Sequence, residues 1–146
     1  MFDQMMIPHH QQAVAMAQLV ESRSTDPGVR ALASAIEGAQ QPEINQMTAQ
    51  LKTWDQPMAM PGMGGQGGHS MSGMMSDEQL NQLKRLSGSA FDKMWLQMMI
   101  AHHQGAVDMA RTELAQGKNP QTKTLAQSII EAQQREITQM QAMLHP

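Results

Sequence analysis

The sequence predicts an all-α protein, a four-helix bundle that forms one domain over residues 1–146. The composition favours helix, because Ala, Gln, Met and Leu abound while Val, Ile and aromatic residues are few. The chain also contains an internal repeat. Residues 2–51, shifted by 93 positions, align without a gap on residues 95–144, and about half of the positions are identical. Two copies of a helical hairpin joined by one long crossover predict a four-helix bundle.

The first hairpin occupies residues 1–54. Apolar residues recur at spacings of three and four along its first helix, which gives that helix one apolar face. Asp26 and Pro27 mark the start of its second helix, because Asp is a preferred N-cap and Pro is tolerated in the first turn. We expect this second helix to run to about Thr53.

The second repeat occupies residues 77–146. A short helix is expected from Ser76 to about Leu86, before the second copy of the hairpin begins. Gly117 is a helix stop and Asn119-Pro120 starts the last helix, at the positions of the turn in the first copy. The two copies therefore predict the same helix–turn–helix unit.

A Gly-rich stretch, residues 55–76, connects the hairpins and is predicted to be a flexible linker. Such a segment gives methionine no packing role and leaves each thioether open to oxidation. The short spacings between its sulfur atoms suit a mobile chain that wraps around one soft ion; the alternative is an apolar flap that docks on the helices. Its candidate ligands are Met58, Met60, Met63, His69, Met71, Met74 and Met75.

Each repeat carries the same motif, two methionines followed one helical turn later by two histidines. Adjacent residues on a helix diverge by about 100°, so the two histidines of a pair are not expected to chelate one ion together. Each histidine is instead expected to join the methionine one turn before it. The resulting pairs are Met5 with His9, Met6 with His10, Met98 with His102 and Met99 with His103.

Folding each hairpin back on itself brings its second helix beside the motif. Glu43 and Met47 are expected near the first motif, and Glu136 and Met140 near His102. The carboxylate would be a ligand or would fix the histidine tautomer. Thioether and imidazole form a soft, neutral ligand set that suits Cu(I) and Ag(I) and suits Zn(II), Ca(II) or Mg(II) poorly. Imidazole binding is expected to fade below about pH 6.

Packing offers another explanation for the same residues. A buried histidine at a helix–helix interface is usually hydrogen-bonded to a neighbour, and methionine at helical spacing is usually part of a core. Glu43 and Glu136 would then cap a polar network with Gln40 and Gln133. The chain would in that case be a structural or protein-interaction module. The duplication leaves both explanations open, because packing constraints repeat too.

The sequence offers no catalytic set. It has no cysteine nucleophile, no P-loop and no dinucleotide fingerprint. The motif helices also lack the Glu-x-x-His pairs of di-iron carboxylate bundles. We therefore predict a binding protein and not an enzyme, with a metal-dependent oxidase as the remaining enzymatic alternative.

Charge and composition exclude several classes of partner. The formal charge is −3 without a basic patch, and no run of about 18 apolar residues occurs, so neither nucleic acid nor a membrane span is predicted. The absence of cysteine beside 17 methionines suits an oxidising compartment. No signal peptide is visible, and we interpret the chain as the mature or trimmed form of an exported protein, periplasmic or secreted. A cytoplasmic protein without cysteine is the alternative.

The phrase Met-Ile-x-His-His-x-x-Ala-Val-x-Met-Ala, with Glu-Ile-x-x-Met in the following helix, resembles the bacterial DUF305 family and occurs in both halves. The resemblance implies an exported, ferritin-like bundle that binds Cu(I), Ag(I) and Cu(II) and supports copper tolerance. We expect a monomer or weak dimer that exchanges copper with an exporter or another copper-trafficking protein. Carried over by position, the resemblance points to Met5, Met6, His9, His10, Met16 and Met47 in the first half and to Met98, Met99, His102, His103, Met109 and Met140 in the second.

Overall fold

The structure, a computed structural model, describes residues 1–58 and 72–146. These residues form five α-helices and no strand, which confirms the all-α prediction. Within the described ranges, no helix combines the length and the apolar character that a membrane span requires. The helices are α1 (Phe2–Arg23), α2 (Pro27–Thr53), α3 (Asp77–Lys84), α4 (Gly88–Gln116) and α5 (Pro120–Leu144). The predicted linker ligands Met60, Met63, His69 and Met71 lie outside the described residues.

Side-chain caps fix the start of the second helix in each hairpin, as the sequence predicts. The Asp26 carboxylate accepts a hydrogen bond from the Val29 backbone N–H (2.9 Å). The Asn119 side chain accepts one from the Thr122 N–H (3.0 Å). Each cap satisfies a backbone donor in the first helical turn. Only three residues separate the two helices of each hairpin, so those helices run antiparallel.

The two hairpins meet through α1 and α4. The imidazole of His9 lies on that of His102, and two turns away the Trp95 indole N–H donates a hydrogen bond to the Met16 carbonyl (2.9 Å). These contacts make α1 and α4 antiparallel, with the first histidine of each motif at the centre of their interface. The buried apolar residues divide into two clusters, one toward each end of this interface.

Residues Ser72–Met75, here called the strap, run across the α1–α4 interface. The Gln12 amide donates to the Met75 carbonyl (2.9 Å) and its oxygen accepts from the Met75 N–H (2.8 Å). Gly73 has a φ of +78° and lies where a side chain would overlap the Ala101 carbonyl oxygen, and both conditions favour glycine. The C-terminal end of the predicted linker is therefore docked on the helices.

Candidate metal site

The four motif histidines are buried, and the two members of each pair face different neighbours. His9, His10, His102 and His103 are each no more than 1% exposed. The rings of His9 and His102 meet across the α1–α4 interface, with centroids 3.8 Å apart and planes at 37°. His10 and His103 turn toward the second helix of their own hairpin. This divergence is what a rotation of about 100° per helical residue predicts.

A carboxylate on the second helix of each hairpin faces the second histidine of the motif. His10 Nε2 lies 3.6 Å from Glu43 Oε1, and His103 Nε2 lies 3.5 Å from Glu136 Oε1. In the second repeat the residue that faces Glu136 is His103, because His102 faces α1 and the next residue turns toward α5. A carboxylate in this position orients the ring and favours a proton on Nε2.

Seven of the eight ring nitrogens of these histidines have no hydrogen-bond partner among the described residues. The exception is His9 Nε2, which donates to the Ser72 carbonyl of the strap (2.9 Å). Because a carbonyl can only accept, the neutral His9 ring carries its proton on Nε2 and its lone pair on Nδ1. A buried polar atom without a partner costs free energy. A bound metal ion would supply the missing partner.

The thioethers of the two motifs form two groups, and each group draws on both hairpins. The first thioether group comprises Met5, Met6, Met47 and Met109, and the second comprises Met98, Met99, Met140 and Met16; each group belongs to one apolar cluster or packs against it. The resemblance places Met16 with the first half and Met109 with the second, and the structure exchanges them. Because α1 and α4 are antiparallel, the methionine two turns after the first histidine of a motif lies in the same apolar cluster as the motif methionines of the other hairpin.

Burial keeps the two facing imidazoles neutral. It lowers the pKa of His9 to about 4; the hydrogen bond to Ser72 partly offsets this effect, and repulsion from His10 and His103 adds to it. The pKa of His102 lies well below its usual value, first because of burial and then because of repulsion from the other motif histidines. The expected loss of imidazole lone pairs below about pH 6 therefore does not hold for His9 and His102, which stay neutral in more acidic solution.

The polar network that packing alone would require is not formed by the described residues. Gln40 and Gln133 occupy the same position of the repeat and are each 2% exposed. Neither the amide nitrogen nor the amide oxygen of either side chain has a hydrogen-bond partner. They lie one helical turn before Glu43 and Glu136, on the same side of their helices. Each hairpin therefore holds unsatisfied polar atoms on both of its helices.

Nowhere in residues 1–58 and 72–146 do three His, Cys, Asp or Glu side chains come together as a group that could hold a metal ion. Zinc and di-iron centres are built from such groups. An ion at the motif would therefore need ligands beyond these side chains, and the thioethers of the motif methionines are the candidates. The donor set is a soft one.

The sequence matches the family described as Domain of unknown function (DUF305) over residues 1–144. The chain belongs to the DUF305 family. A solved DUF305 protein from Streptomyces coelicolor, described as a candidate secreted protein, is 33% identical and has a TM-score of 0.89. That match covers 98% of this chain and 89% of the Streptomyces chain.

CopM is similar to this chain over nearly the whole length of both proteins. Its Cu(II)-bound form is 33% identical with a TM-score of 0.84, covering 98% of this chain and 93% of CopM. Its Cu(I)-bound form is 30% identical with a TM-score of 0.81, covering 97% and 91%, and CopM is also known bound to Ag. An uncharacterised protein of Acanthamoeba polyphaga mimivirus is 44% identical over 46 residues, which span 32% of this chain and 30% of that protein.

Sequence reasoning missed the residues of this DUF305 chain that hold the strap. Gln12 binds Met75, whereas Gly105, at the same position of the repeat, leaves room for the strap backbone. A Cβ on Gly105 would overlap the carbonyl group of Ser72. The signal was present in the alignment of the repeats, because a Gln–Gly difference interrupts an otherwise identical stretch.

Sequence reasoning also missed Asp3, a buried carboxylate in the first turn of α1. Asp3 is 2% exposed, and neither carboxylate oxygen has a hydrogen-bond partner among the described residues. Burial raises its pKa to about 6; the α-ammonium group partly offsets the rise and the Glu113 charge adds to it. Burial also raises the pKa of Glu113. The repeat places Leu96 at the position of Asp3, which marks Asp3 as a residue of one half only.

Three of the predicted linker ligands, Met58, Met74 and Met75, lie among the described residues. Met58 is 46% exposed and lies after the end of α2. Met74 and Met75 belong to the strap and are partly buried. Met75 packs against the apolar cluster that contains the second thioether group.

Proposed function

We propose that this DUF305 protein is an extracytoplasmic copper-binding protein, not an enzyme. It sequesters or carries Cu(I), also accepts Ag(I) and Cu(II), and supports copper tolerance by exchanging copper with an exporter or another copper-trafficking protein. Its four long helices form a ferritin-like four-helix bundle, with the metal held between the motif histidines and the thioether groups. Copper is cargo here, bound and released without chemical change.

The seven buried ring nitrogens without a hydrogen-bond partner are the observation that carries this proposal. Such atoms are rare in folded proteins unless ordered water or a bound ion completes them. In His9, His10 and His103 the Nε2 atom faces an oxygen, which leaves Nδ1 as the available lone pair. A histidine metal ligand is commonly held in this way, with its other nitrogen donating to a carbonyl or carboxylate.

The ligand chemistry supports a soft, monovalent ion. Neutral imidazole and thioether add no negative charge, and the pKa of His9, lowered to about 4 by burial, keeps its lone pair available at ordinary pH. CopM, about 30% identical to this chain, has been solved in Cu(I)-, Cu(II)- and Ag-bound forms. The likeness to a candidate secreted protein of the same family supports an extracytoplasmic location.

A structural or protein-interaction module is the second candidate function. One observation favours it: Met6, Met16, Met47, Met99 and Met140 are fully buried, as packing residues would be. The two functions differ in their response to metal. A ligand that binds only the folded state raises the free energy of unfolding by about 4 kcal/mol at a thousandfold excess over Kd, whereas a module without a metal site shows no change with Ag(I).

The proposal is tested by titrating the protein with Cu(I) against a competing chelator under reducing conditions. We expect wild type to bind more tightly than about 1 μM. Replacing both His9 and His102 with Ala is expected to weaken binding at least about tenfold. His145→Ala is the matched control, because His145 is exposed and outside both motifs. Wild-type binding no tighter than micromolar would contradict the proposal.

A further inference from the structure

The strap separates the imidazole of His9 from solvent by a single layer of chain. The carbonyl of Ser72 accepts the hydrogen bond that His9 Nε2 donates (2.9 Å). Ser72 itself is exposed, whereas His9 is 0% exposed. One side of the strap therefore meets solvent and the other side meets the ring. An ion from solvent cannot reach this nitrogen while the strap is in place.

The strap also lies against α4, beside the histidine on which His9 stacks. A Cβ on Gly73 would lie 3.1 Å from the Cα atom of His102, and a Cβ on Gly105 would overlap the Ser72 carbonyl. The strap backbone thus spans the groove between α1 and α4 at the level where the two rings meet. Lifting the strap would open this groove.

Few interactions hold the strap on the helices. Within the described ranges it makes three hydrogen bonds to α1, one with His9 and two between the Gln12 side chain and the Met75 backbone. Beyond Met75 the chain is fixed, because Ser76 forms a capping box with Gln79 at the start of α3. A segment that is anchored at one end and fastened by a few exposed bonds belongs to the parts of a protein that open locally.

Gln12 serves the strap and not the metal motif. Both its amide oxygen and its amide nitrogen bind one residue, Met75. The second repeat has Gly105 at this position, although it contains the same histidine pair and the same methionines around it. The motif therefore does not need this glutamine, and the strap does.

We propose that the strap is a gate for copper exchange, held closed by Gln12, and that it sets the rate at which copper reaches and leaves His9 and His102. The gate rests on the proposed copper-binding function and adds kinetic control to it. With the strap closed, a bound ion is shielded from solvent and from competing ligands. Because a gate speeds or slows entry and exit together, it changes rates more than affinity.

The test compares wild type with Gln12→Ala and with Gln11→Ala, a change of the exposed neighbouring glutamine on α1. Each full-length protein is loaded with Cu(I) and mixed by stopped flow with a chromogenic Cu(I) chelator, at concentrations where the release rate no longer rises with chelator. Uptake is measured by mixing the metal-free protein with Cu(I). We expect Gln12→Ala to exchange Cu(I) about tenfold faster in both directions, because the loss of two hydrogen bonds raises the open fraction. Its Kd should change far less, and Gln11→Ala should behave as wild type does.

A second readout needs no metal. A pyrocarbonate reagent acylates imidazole nitrogen, and fragment-ion mass spectrometry gives the rate at His9 alone. This rate should rise about tenfold in Gln12→Ala, while the exposed His145 reacts equally in every variant. Gly105→Ala displaces the strap by steric overlap and not by loss of a side chain that binds it. It should therefore speed both Cu(I) release and acylation of His9.

The outcomes separate the gate from the general function. Cu(I) release at the wild-type rate in both Gln12→Ala and Gly105→Ala would overturn the gate alone, whatever the acylation rate. Acylation of His9 at the wild-type rate in both variants would also overturn it, because the strap would then not be what covers the ring. Equal acceleration in Gln11→Ala would do the same. A wild type that binds no Cu(I) would overturn the proposed function, and the gate for copper with it.

Discussion

The two hairpins share the methionine–histidine motif and differ at two positions that flank it. Both contain the histidine pair, the methionines around it and the glutamate that faces the second histidine. They differ at the position of Gln12 and Gly105, where the strap crosses, and at that of Asp3 and Leu96, where a cavity opens beside the start of α1. The shared residues include those that we propose to bind copper. The differing residues mark the places where the two halves of the molecule are not equivalent.

The strap is held by the difference between Gln12 and Gly105. One strap must cross two related helices, so it cannot meet them in the same way. On α1 it is bound by the side chain of Gln12, and on α4 it lies against the bare backbone at Gly105. Its Ser72 carbonyl then reaches His9 and not the equivalent His102. The strap thus gives the two facing imidazoles different surroundings.

The largest effect is expected from Gly105→Ala. The added methyl group would overlap the Ser72 carbonyl, so the strap must lift and its hydrogen bond to His9 must break. We expect the free energy of unfolding to fall by about 3 kcal/mol, as overpacking of a tight contact does. Chemical denaturation measures the loss, and hydrogen exchange at residues 72–75 reports whether the strap has detached.

Gln12→Ala is the matched change on the other helix. It removes two hydrogen bonds to Met75 without a steric overlap, and we expect the free energy of unfolding to fall by about 1–2 kcal/mol.

Gly38→Ala is the control for Gly105→Ala, because a methyl group on Gly38 meets nothing within 4 Å. Equal stability of Gly105→Ala and wild type, with residues 72–75 still protected, would show that the strap does not pack as described.

Acid should weaken the fold through the facing histidines. Below pH 6.5 the unfolded chain protonates His9, while the folded chain does not until about pH 4. The unfolded state therefore binds more protons in this window, and the free energy of unfolding falls as the pH falls. The contribution of His9 is at most about 3 kcal/mol between these values. His102 acts in the same direction, and denaturation curves from pH 7 to pH 4 measure the sum.

The Asp3 carboxyl group has the opposite effect on the free energy of unfolding as the pH falls, and the second repeat has Leu96 in its place. Its folded pKa of about 6 lies above the ordinary value of 3.8, so the folded chain binds more protons than the unfolded chain as the pH falls from 6 to 3.8, and the free energy of unfolding rises there through Asp3. Asp3→Leu should therefore be more stable than wild type at pH 7 and lose more stability on acidification. A parallel pH dependence in the two proteins would contradict the buried state of Asp3.

A smaller effect is expected when one methionine of a thioether group is replaced, and it is measured as a change in Ag(I) affinity. Met109→Leu is expected to weaken Ag(I) binding about tenfold. Combined with Met6→Leu, from the same thioether group, its effect should be non-additive; combined with Met99→Leu, from the other group, it should be additive. Met94→Leu is the control, because Met94 packs against the second apolar cluster but belongs to neither motif. Additive effects with Met6→Leu and non-additive effects with Met99→Leu would instead place Met109 in the second thioether group.

Local sequence signals predicted the helices well. Asp26-Pro27 and Asn119-Pro120 start α2 and α5 because capping is decided within a few residues. The placement of Glu43 beside the motif also followed from folding one hairpin back on itself. These are contacts that a short turn dictates.

Contacts between hairpins could not be predicted in the same way. The repeat does not state which helices of the two hairpins meet or in which register, so the stacking of His9 on His102 and the exchange of Met16 and Met109 emerged only from the structure. The burial of Asp3 likewise emerged only from the structure. The alignment of the repeats nevertheless held the clues, at Asp3 against Leu96 and Gln12 against Gly105.

The most direct test of copper binding is a crystal structure of the protein loaded with Ag(I), with the metal located by anomalous scattering. We expect peaks toward both ends of the α1–α4 interface, each beside a motif histidine and the thioethers of one group: Met6, Met47 and Met109 at one end, and Met99, Met140 and Met16 at the other. Peaks confined to exposed residues such as Met58 and His145, with the motif histidines unchanged, would contradict it.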